Sequence, residues 1–307
     1  MLATLDEGFG GQWSVEKLEC VEAYICSYLK VMQNQRWKLS YIDAFSGEGV
    51  QRFKHSIQPR NHGSVDTVNE AYAKAFTEGS SLRALAASKK REIEGGRGFD
   101  HFYFIELNKA KLDALRCRIL SQFPDCENRC VFICGDANKE LPELIRRMDW
   151  QKDRAVSFID PFATQFKWSS FECFRNTCCD VWMLFPLFAI IRMLPTSHMP
   201  SEDWCKSLDE ILGEGDWRNL YHKTTQLSLF GEEAVEREKG IDQLLEYATR
   251  RYRQAFPGVW GPAVLRTERN APLFALYALT ANHSPQALSV SGKISRHLLN
   301  GIGAREI

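Results

Sequence analysis

Leu39-Ser40-Tyr41-Ile42-Asp43-Ala44-Phe45-Ser46-Gly47-Glu48-Gly49 joins a strand pattern to a turn of small residues. Tyr41, Ile42, Ala44 and Phe45 are mostly strand formers, and Asp43 falls near the strand's carboxyl end. Gly47 and Gly49 carry no Cβ that would hold a ligand off the backbone. In an open α/β sheet ligands bind beyond the carboxyl ends of the strands, so a glycine turn there lets backbone N–H groups meet a cofactor. A Gly-x-Gly after a strand is also an ordinary turn, and the rest of the chain has to decide between the two.

The strands that follow repeat the pattern. His101 to Leu107 predicts a strand ending on Glu106, and Asn108 caps a helix with Leu112, Leu115, Ile119 and Leu120 on one face. Val131, Phe132 and Ile133 lead into Gly135-Asp136-Ala137-Asn138, where Asn138 is the expected cap of a helix through Leu141, Leu144, Ile145 and Met148. Ala155 to Ile159 predicts a strand that stops at Asp160-Pro161-Phe162, because proline cannot continue the ladder. Strands separated by helical patterns make a parallel sheet, which places Asp43, Glu106, Asp136 and Asp160 along one rim. One acid at a strand end is ordinarily a cap or turn residue. Four of them, together with a glycine turn, favour a site.

Upstream, residues 14 to 36 predict an amphipathic helix, with Ser14 as N-cap and Val15, Leu18, Val21, Tyr24, Ile25, Tyr28, Leu29 and Met32 on the packed face. Glu16 and Lys17 read as its solvated side. A polar loop runs from the glycine turn to His62, and Gly63-Ser64 opens a helix to about Phe76; a connection this long suggests a lid or binding loop. Lys89, Lys90 and Arg91 with Gly95, Gly96 and Gly98 read as an exposed connector. Cys179 to Phe185 is a fifth strand, ended by Pro186. Residues 186 to 230 are less regular, with a helix around Glu202 to Leu212, and read as an inserted cap or lid on a single domain spanning 1 to 307. Glu232 to Ala255 predicts a helix whose Arg250, Arg251 and Arg253 offset its dipole. Ala263 to Thr267 and Leu273 to Thr280 form an expected antiparallel hairpin, and Pro285 to Leu299 a closing helix.

Composition narrows the classes. The 307 residues are 44% hydrophobic and 25% charged, enough for a substantial core. Lys plus Arg and Asp plus Glu each number 39, so no bulk positive field draws the chain to nucleic acid, and such a contact would rest on a local patch. The longest apolar run, Val181 to Ile191, is interrupted by Pro186 and is shorter than the ~20 residues that span a bilayer. The first residues show no basic region followed by an apolar stretch, so no signal peptide and a cytoplasmic location are expected. The 10 cysteines form no paired C-x2-C knuckle, so no metal site is expected and the thiols read as reduced, partly buried hydrophobes.

Helix, strand with glycine turn, acid-ended strands and late hairpin follow the order of a class I S-adenosyl-L-methionine (SAM)-dependent methyltransferase domain. The motifs narrow the resemblance. Tyr41 to Gly49, Gly63-Ser64, Phe104-Ile105-Glu106, Gly135 to Asn138, Phe158 to Phe162 and the late Pro272-Leu273-Phe274 to Asn282-His283-Ser284-Pro285 run resemble the three-Cys-motif partner protein family over most of the chain. That resemblance implies a Rossmann-like α/β fold, mostly parallel, with a C-terminal antiparallel hairpin and an inserted cap, and SAM as cofactor. It implies that Asp43, Ser46, Gly47 and Gly49 surround the methionine moiety and that Glu106 accepts from both ribose hydroxyls. Asp136 would accept from the adenine amino group, and the Ala137 N–H would face the ring. Glu106 lies farther from the turn than the usual ~20 residues because of the intervening insert.

Asp160-Pro161-Phe162 resembles the Asp-Pro-Pro-aromatic tetrapeptide of amino-methyltransferases, in which a carboxylate and a backbone carbonyl hold the target amine and the ring stacks on a base. This chain has one proline where that motif has two, and no Pro-Cys nucleophile follows. The methyl acceptor is thus left unidentified, with a nucleic-acid base among the candidates. The family is named for a neighbouring radical-SAM-like protein with a three-cysteine motif, so a non-catalytic partner of that protein is an alternative. A Mg-dependent nuclease using the rim carboxylates is another, against which the glycine turn argues.

Overall fold

The strand that precedes the glycine turn, β1 (Lys38–Asp43), is buried from Leu39 onward and lies inside a seven-stranded sheet. The computed structural model describes residues 12–52, 76–214, 216–227, 233–237, 240–267 and 269–302. Helix α1 (Gln12–Met32) leads into β1, and the short strands β2 (Val50–Arg52) and β3 (Phe76–Glu78) pair antiparallel after the turn. Then come α2 (Ser80–Ile93), β4 (His101–Glu106), α3 (Lys109–Gln122), β5 (Cys130–Cys134), α4 (Ala137–Arg147), β6 (Asp153–Ile159) and β7 (Cys179–Phe185). The chain continues through α5 (Leu187–Met193), α6 (Glu202–Leu212), the antiparallel pair β8 (Tyr221–Leu227) and β9 (Glu233–Arg237), and α7 (Asp242–Ala255). It closes with β10 (Gly258–Arg266), β11 (Pro272–Thr280) and α8 (Pro285–Asn300).

The sheet order is β10-β11-β7-β6-β1-β4-β5. β7, β6, β1, β4 and β5 pair parallel, while β11 is antiparallel to both β7 and β10. β1 has β4 on one side and β6 on the other, so the strand order reverses there, and a crevice opens at the carboxyl ends. Strand alternation divides the core into two layers. Leu39, Tyr41, Phe104, Phe158 and Trp182 pack with Leu18, Tyr24 and Ile25 of α1 and Leu82 and Leu85 of α2. Ile42, Ile105, Ile159 and Met183 pack on the other face with Leu141 of α4 and Leu244 and Tyr252 of α7.

Several boundaries differ from the sequence reading, each for a physical reason. Ser14 is not the N-cap of α1 but lies inside it, fully buried. Lys89, Lys90 and Arg91 belong to α2 and not to a connector, because Leu82, Ala84, Leu85 and Ala87 give that stretch a buried helical face. Glu233 to Arg237 is a strand where a helix was expected. Its amide at Arg237 bonds to Thr196 O at 2.9 Å, and the buried guanidinium donates to the carbonyl of Leu194 at 3.0 Å, so the inward residue of this strand is a cation. The helix expected from Gly63-Ser64 lies outside the described residues.

Leu187, Ile190, Leu208, Leu212, Trp217 and Leu220, from the segments after β7, all enter the core layer that carries α4 and α7. Among the described residues no helix is long and apolar enough to cross a membrane. All ten cysteines are free thiols.

Candidate functional site

Register fixes how the four acids stand. Asp43 pairs with Phe104 on β4 and with Phe158 on β6, so Glu106 and Asp160 lie two residues farther along their chains with side chains of the same parity. Glu106 pairs in turn with Cys134, and Asp136 is two residues beyond that. At about 3.3 Å per residue, Glu106 and Asp160 reach ~6.6 Å past Asp43 on either side of it. Asp43 is therefore the floor of the crevice, and the other three acids form its walls.

The floor is closed. Asp43 is fully buried, and its carboxylate accepts from Ser80 Oγ at 2.6 Å, Ser81 Oγ at 2.8 Å and the Phe45 amide at 3.3 Å. Burial raises its pKa from 3.8 to about 6, the serine hydroxyls and the Phe45 amide pull it down, and the nearby Asp160 charge pushes it up. These contacts tie the turn to the first residues of α2. Ser46 is buried beside it and donates through both its amide and its Oγ to the carbonyl of Ile105, at 3.0 and 3.2 Å.

The two glycines of the turn do different things. Both have positive φ, +59° at Gly47 and +83° at Gly49. A Cβ at Gly49 would stand 2.7 Å from Leu115 Cδ1 and 3.5 Å from Leu82 Cγ, so this position is tight against α3 and α2. A Cβ at Gly47 would meet nothing within 4 Å, which makes it the glycine that faces open space.

Glu106 is half-buried and held by two backbone donors, Gly47 N–H at 3.0 Å on Oε2 and Asn108 N–H at 2.8 Å on Oε1. Each carboxylate oxygen retains a second lone pair. Asp136, not Asn138, is the N-cap of α4, accepting from the Asn138 amide at 2.9 Å, and Ala137 is buried behind it. The Asn138 side chain instead reaches across to Gln165 O, Lys167 N and Ser170 Oγ at 2.8–2.9 Å, fixing the segment after Phe162.

At the opposite wall, Asp160 Oδ2 is ion-paired with Lys17 Nζ. Lys17 was read as solvated; it is 2% exposed, with its ammonium 5.4 Å from the Trp13 ring and 6.0 Å from the Phe158 ring. Among the described residues Oδ1 of Asp160 has no partner. Pro161 is buried, and Phe162 is 58% exposed instead of packing into the core. The sequence carried one signal for Lys17. It follows Trp13 by four residues and precedes Val21 by four, which puts a cation within the packed stripe of α1.

The arrangement can accept hydrogen bonds from hydroxyl and amino groups along the wall from Glu106 to Asp136, and from one N–H donor at Asp160 beside an exposed ring. Among the described residues no three His, Cys, Asp or Glu side chains group in a way that could hold a metal ion.

A parallel sheet whose order reverses at the first strand, with an antiparallel strand inserted next to the last parallel one, defines the Rossmann-like class I methyltransferase fold. No family model matches the chain, and no curated protein matches it. Among solved structures, it is similar to a protein from Legionella pneumophila described by the family model DUF519, at a TM-score of 0.46 and 13% identity over 96% of this chain and 95% of that one. It is also similar to spermidine synthase from Thermotoga maritima, at 0.39 and 11% over 89% of this chain and 62% of that one. A third likeness is to the methyltransferase domain of bacterial CtHen1-C, at 0.36 and 10% over 86% and 100%. The fold class rests on the strand order and not on these scores.

Proposed function

We propose that this chain transfers a methyl group from SAM to an amino nitrogen of a planar acceptor, with a nucleic-acid base as the acceptor class. The residues fit the cofactor by their donor and acceptor chemistry. Gly47 is open where the other turn glycine is packed, and Glu106 keeps a free lone pair on each oxygen for a ribose diol. Asp136 is half-buried at the head of α4, next in line for the adenine amino group. When bound, SAM supplies an electrophilic methyl carbon, whose bond to sulfur breaks as the acceptor nitrogen forms its own.

The observation that carries the acceptor side is the pairing of Asp160 with Phe162. One carboxylate oxygen is taken by Lys17, the other is left for an N–H, and the ring two residues on is exposed for stacking. Asp160 orients the acceptor lone pair toward the methyl group, and the displaced amine proton passes to solvent. Methyl transfer depends mainly on in-line positioning, so no covalent nucleophile is needed.

Purified protein given methyl-tritiated SAM with total RNA or genomic DNA should label one of them. The motif resemblance supports a further element of the proposal, docking to a radical-SAM-like protein with a three-cysteine motif. Binding of S-adenosylhomocysteine (SAH) without transfer to either nucleic acid would favour the non-catalytic reading, in which the chain keeps the fold and serves only that partner.

A further inference from the structure

We infer that Lys17 is a positioning residue for Asp160, a role that rests on the acceptor assignment above. Lys17 lies on α1, an element outside the strand-and-turn apparatus of the site, yet its ammonium is buried and directed onto Oδ2. The Trp13 and Phe158 rings flank the ammonium, and these contacts restrict where it can sit. The ion pair therefore fixes the rotation of the Asp160 carboxylate: with Oδ2 committed to Lys17, Oδ1 is the oxygen left to meet an acceptor, and the side chain as a whole is 22% exposed.

Stability alone gives weak reason for such a pair. Replacing a buried ion pair by apolar side chains of similar volume is commonly neutral or stabilising, whereas removing one partner leaves a buried charge uncompensated. With Oδ2 committed to Lys17, Oδ1 can accept one N–H while the acceptor nitrogen keeps its lone pair for the methyl carbon. The acceptor class that fits this single acceptor oxygen is an amine with an N–H to donate, such as an exocyclic amino group.

The test uses Lys17→Met, Lys17→Arg, Asp160→Asn and the double variant Lys17→Met/Asp160→Asn. Calorimetry with SAH should give affinities within a few-fold of the parent for all four; a large loss in Lys17→Met would make Lys17 a cofactor residue and overturn the inference. With methyl-tritiated SAM and total RNA or genomic DNA, Lys17→Met should lose ~100-fold in kcat, the scale expected for a misplaced reacting group. Lys17→Arg should recover part of that loss, and the double variant should be no slower than Asp160→Asn alone. Additive losses, or parental turnover in Lys17→Met, would overturn it.

A separate readout distinguishes failure of this inference from failure of the methyl-transfer reading. In 15N-lysine-labelled protein the Lys17 ammonium should give an exchange-protected signal that moves in Asp160→Asn. A parent that binds SAH but labels neither nucleic acid would remove the methyl-transfer reading; the ammonium signal would still support the pairing if it moves and refute it if it does not.

Discussion

Substituting the two turn glycines separately should split stability from cofactor binding. At Gly49, φ is +83° and a Cβ would stand 2.7 Å from Leu115 Cδ1, with Leu82 also within 4 Å. Both leucines are fully buried, so neither has an open direction in which to move. The left-handed backbone costs an L-residue about 1–2 kcal/mol, and forcing a carbon into a packed site adds about 1–3 kcal/mol. Gly49→Ala should therefore lose roughly 2–5 kcal/mol of folding free energy. At Gly47, φ is +59° but the Cβ meets nothing within 4 Å, so only the backbone cost of about 1–2 kcal/mol remains. Urea denaturation followed by tryptophan fluorescence measures the difference, and calorimetry with SAH on the folded variants measures the other half. Gly47→Ala should be the more stable of the pair and the weaker binder. Equal stabilities, or a larger affinity loss in Gly49→Ala, would refute the division of labour drawn from the turn.

Asp160→Ala should leave SAH affinity within a few-fold while abolishing transfer from methyl-tritiated SAM, because only interactions strengthened in the transition state raise the chemical rate; transfer at the parental rate would remove Asp160 from the mechanism. Phe162→Ala should weaken the acceptor by about 1–3 kcal/mol through lost stacking, read as a raised acceptor KM, with an unchanged thermal midpoint because the ring is exposed. Burial raises Asp180 from 3.8 to about 6, against hydrogen bonds from Tyr24 and Thr280 at 2.7 Å. The folded carboxyl thus holds its proton more tightly than the unfolded one, so its stability contribution is full below pH 3.8 and is lost as pH rises through about 6. That loss is worth roughly 3 kcal/mol. In Asp180→Asn the fall in stability between pH 4 and 7, followed by urea denaturation, should shrink by about that much; an unchanged pH profile would contradict the assignment.

The parts of the site that follow from one strand and its turn were legible in the sequence. Asp43 and Glu106 close β1 and β4 as the apolar runs predict, Asp160 directly follows β6, and Asp136 stands two residues past β5 at the head of α4. Asn108 also caps α3 as expected, accepting from the amides of Ala110 and Lys111. What the sequence hid depends on contacts between distant segments. Lys17 meets Asp160 across 143 residues, and although its spacing from Trp13 and Val21 sets it in the packed stripe of α1, nothing local in the sequence names its distant partner. Ser80 and Ser81 close on Asp43 across 37 and 38 residues. Two residues with capping side chains, Asp136 and Asn138, stand two positions apart, and the structure gives the cap to Asp136 because Asn138 is drawn to Gln165, Lys167 and Ser170. The strand Glu233–Arg237 is not legible in the sequence because its inward residue is an arginine that donates to the carbonyls of Gly240 and the distant Leu194.

On the proposed reading, the crevice beside β1 holds SAM against Glu106. Calorimetric titration of SAH into the parent chain and into Glu106→Ala tests it most directly. Both oxygens of Glu106 are already oriented by the Gly47 and Asn108 amides, so deleting the carboxylate removes a preset acceptor for the ribose diol. Saturable binding by the parent and a loss of about tenfold or more in the variant are expected, since a hydrogen bond to a charged group is worth about 1.5–3 kcal/mol. No binding by the parent, or equal affinity in Glu106→Ala, would contradict it.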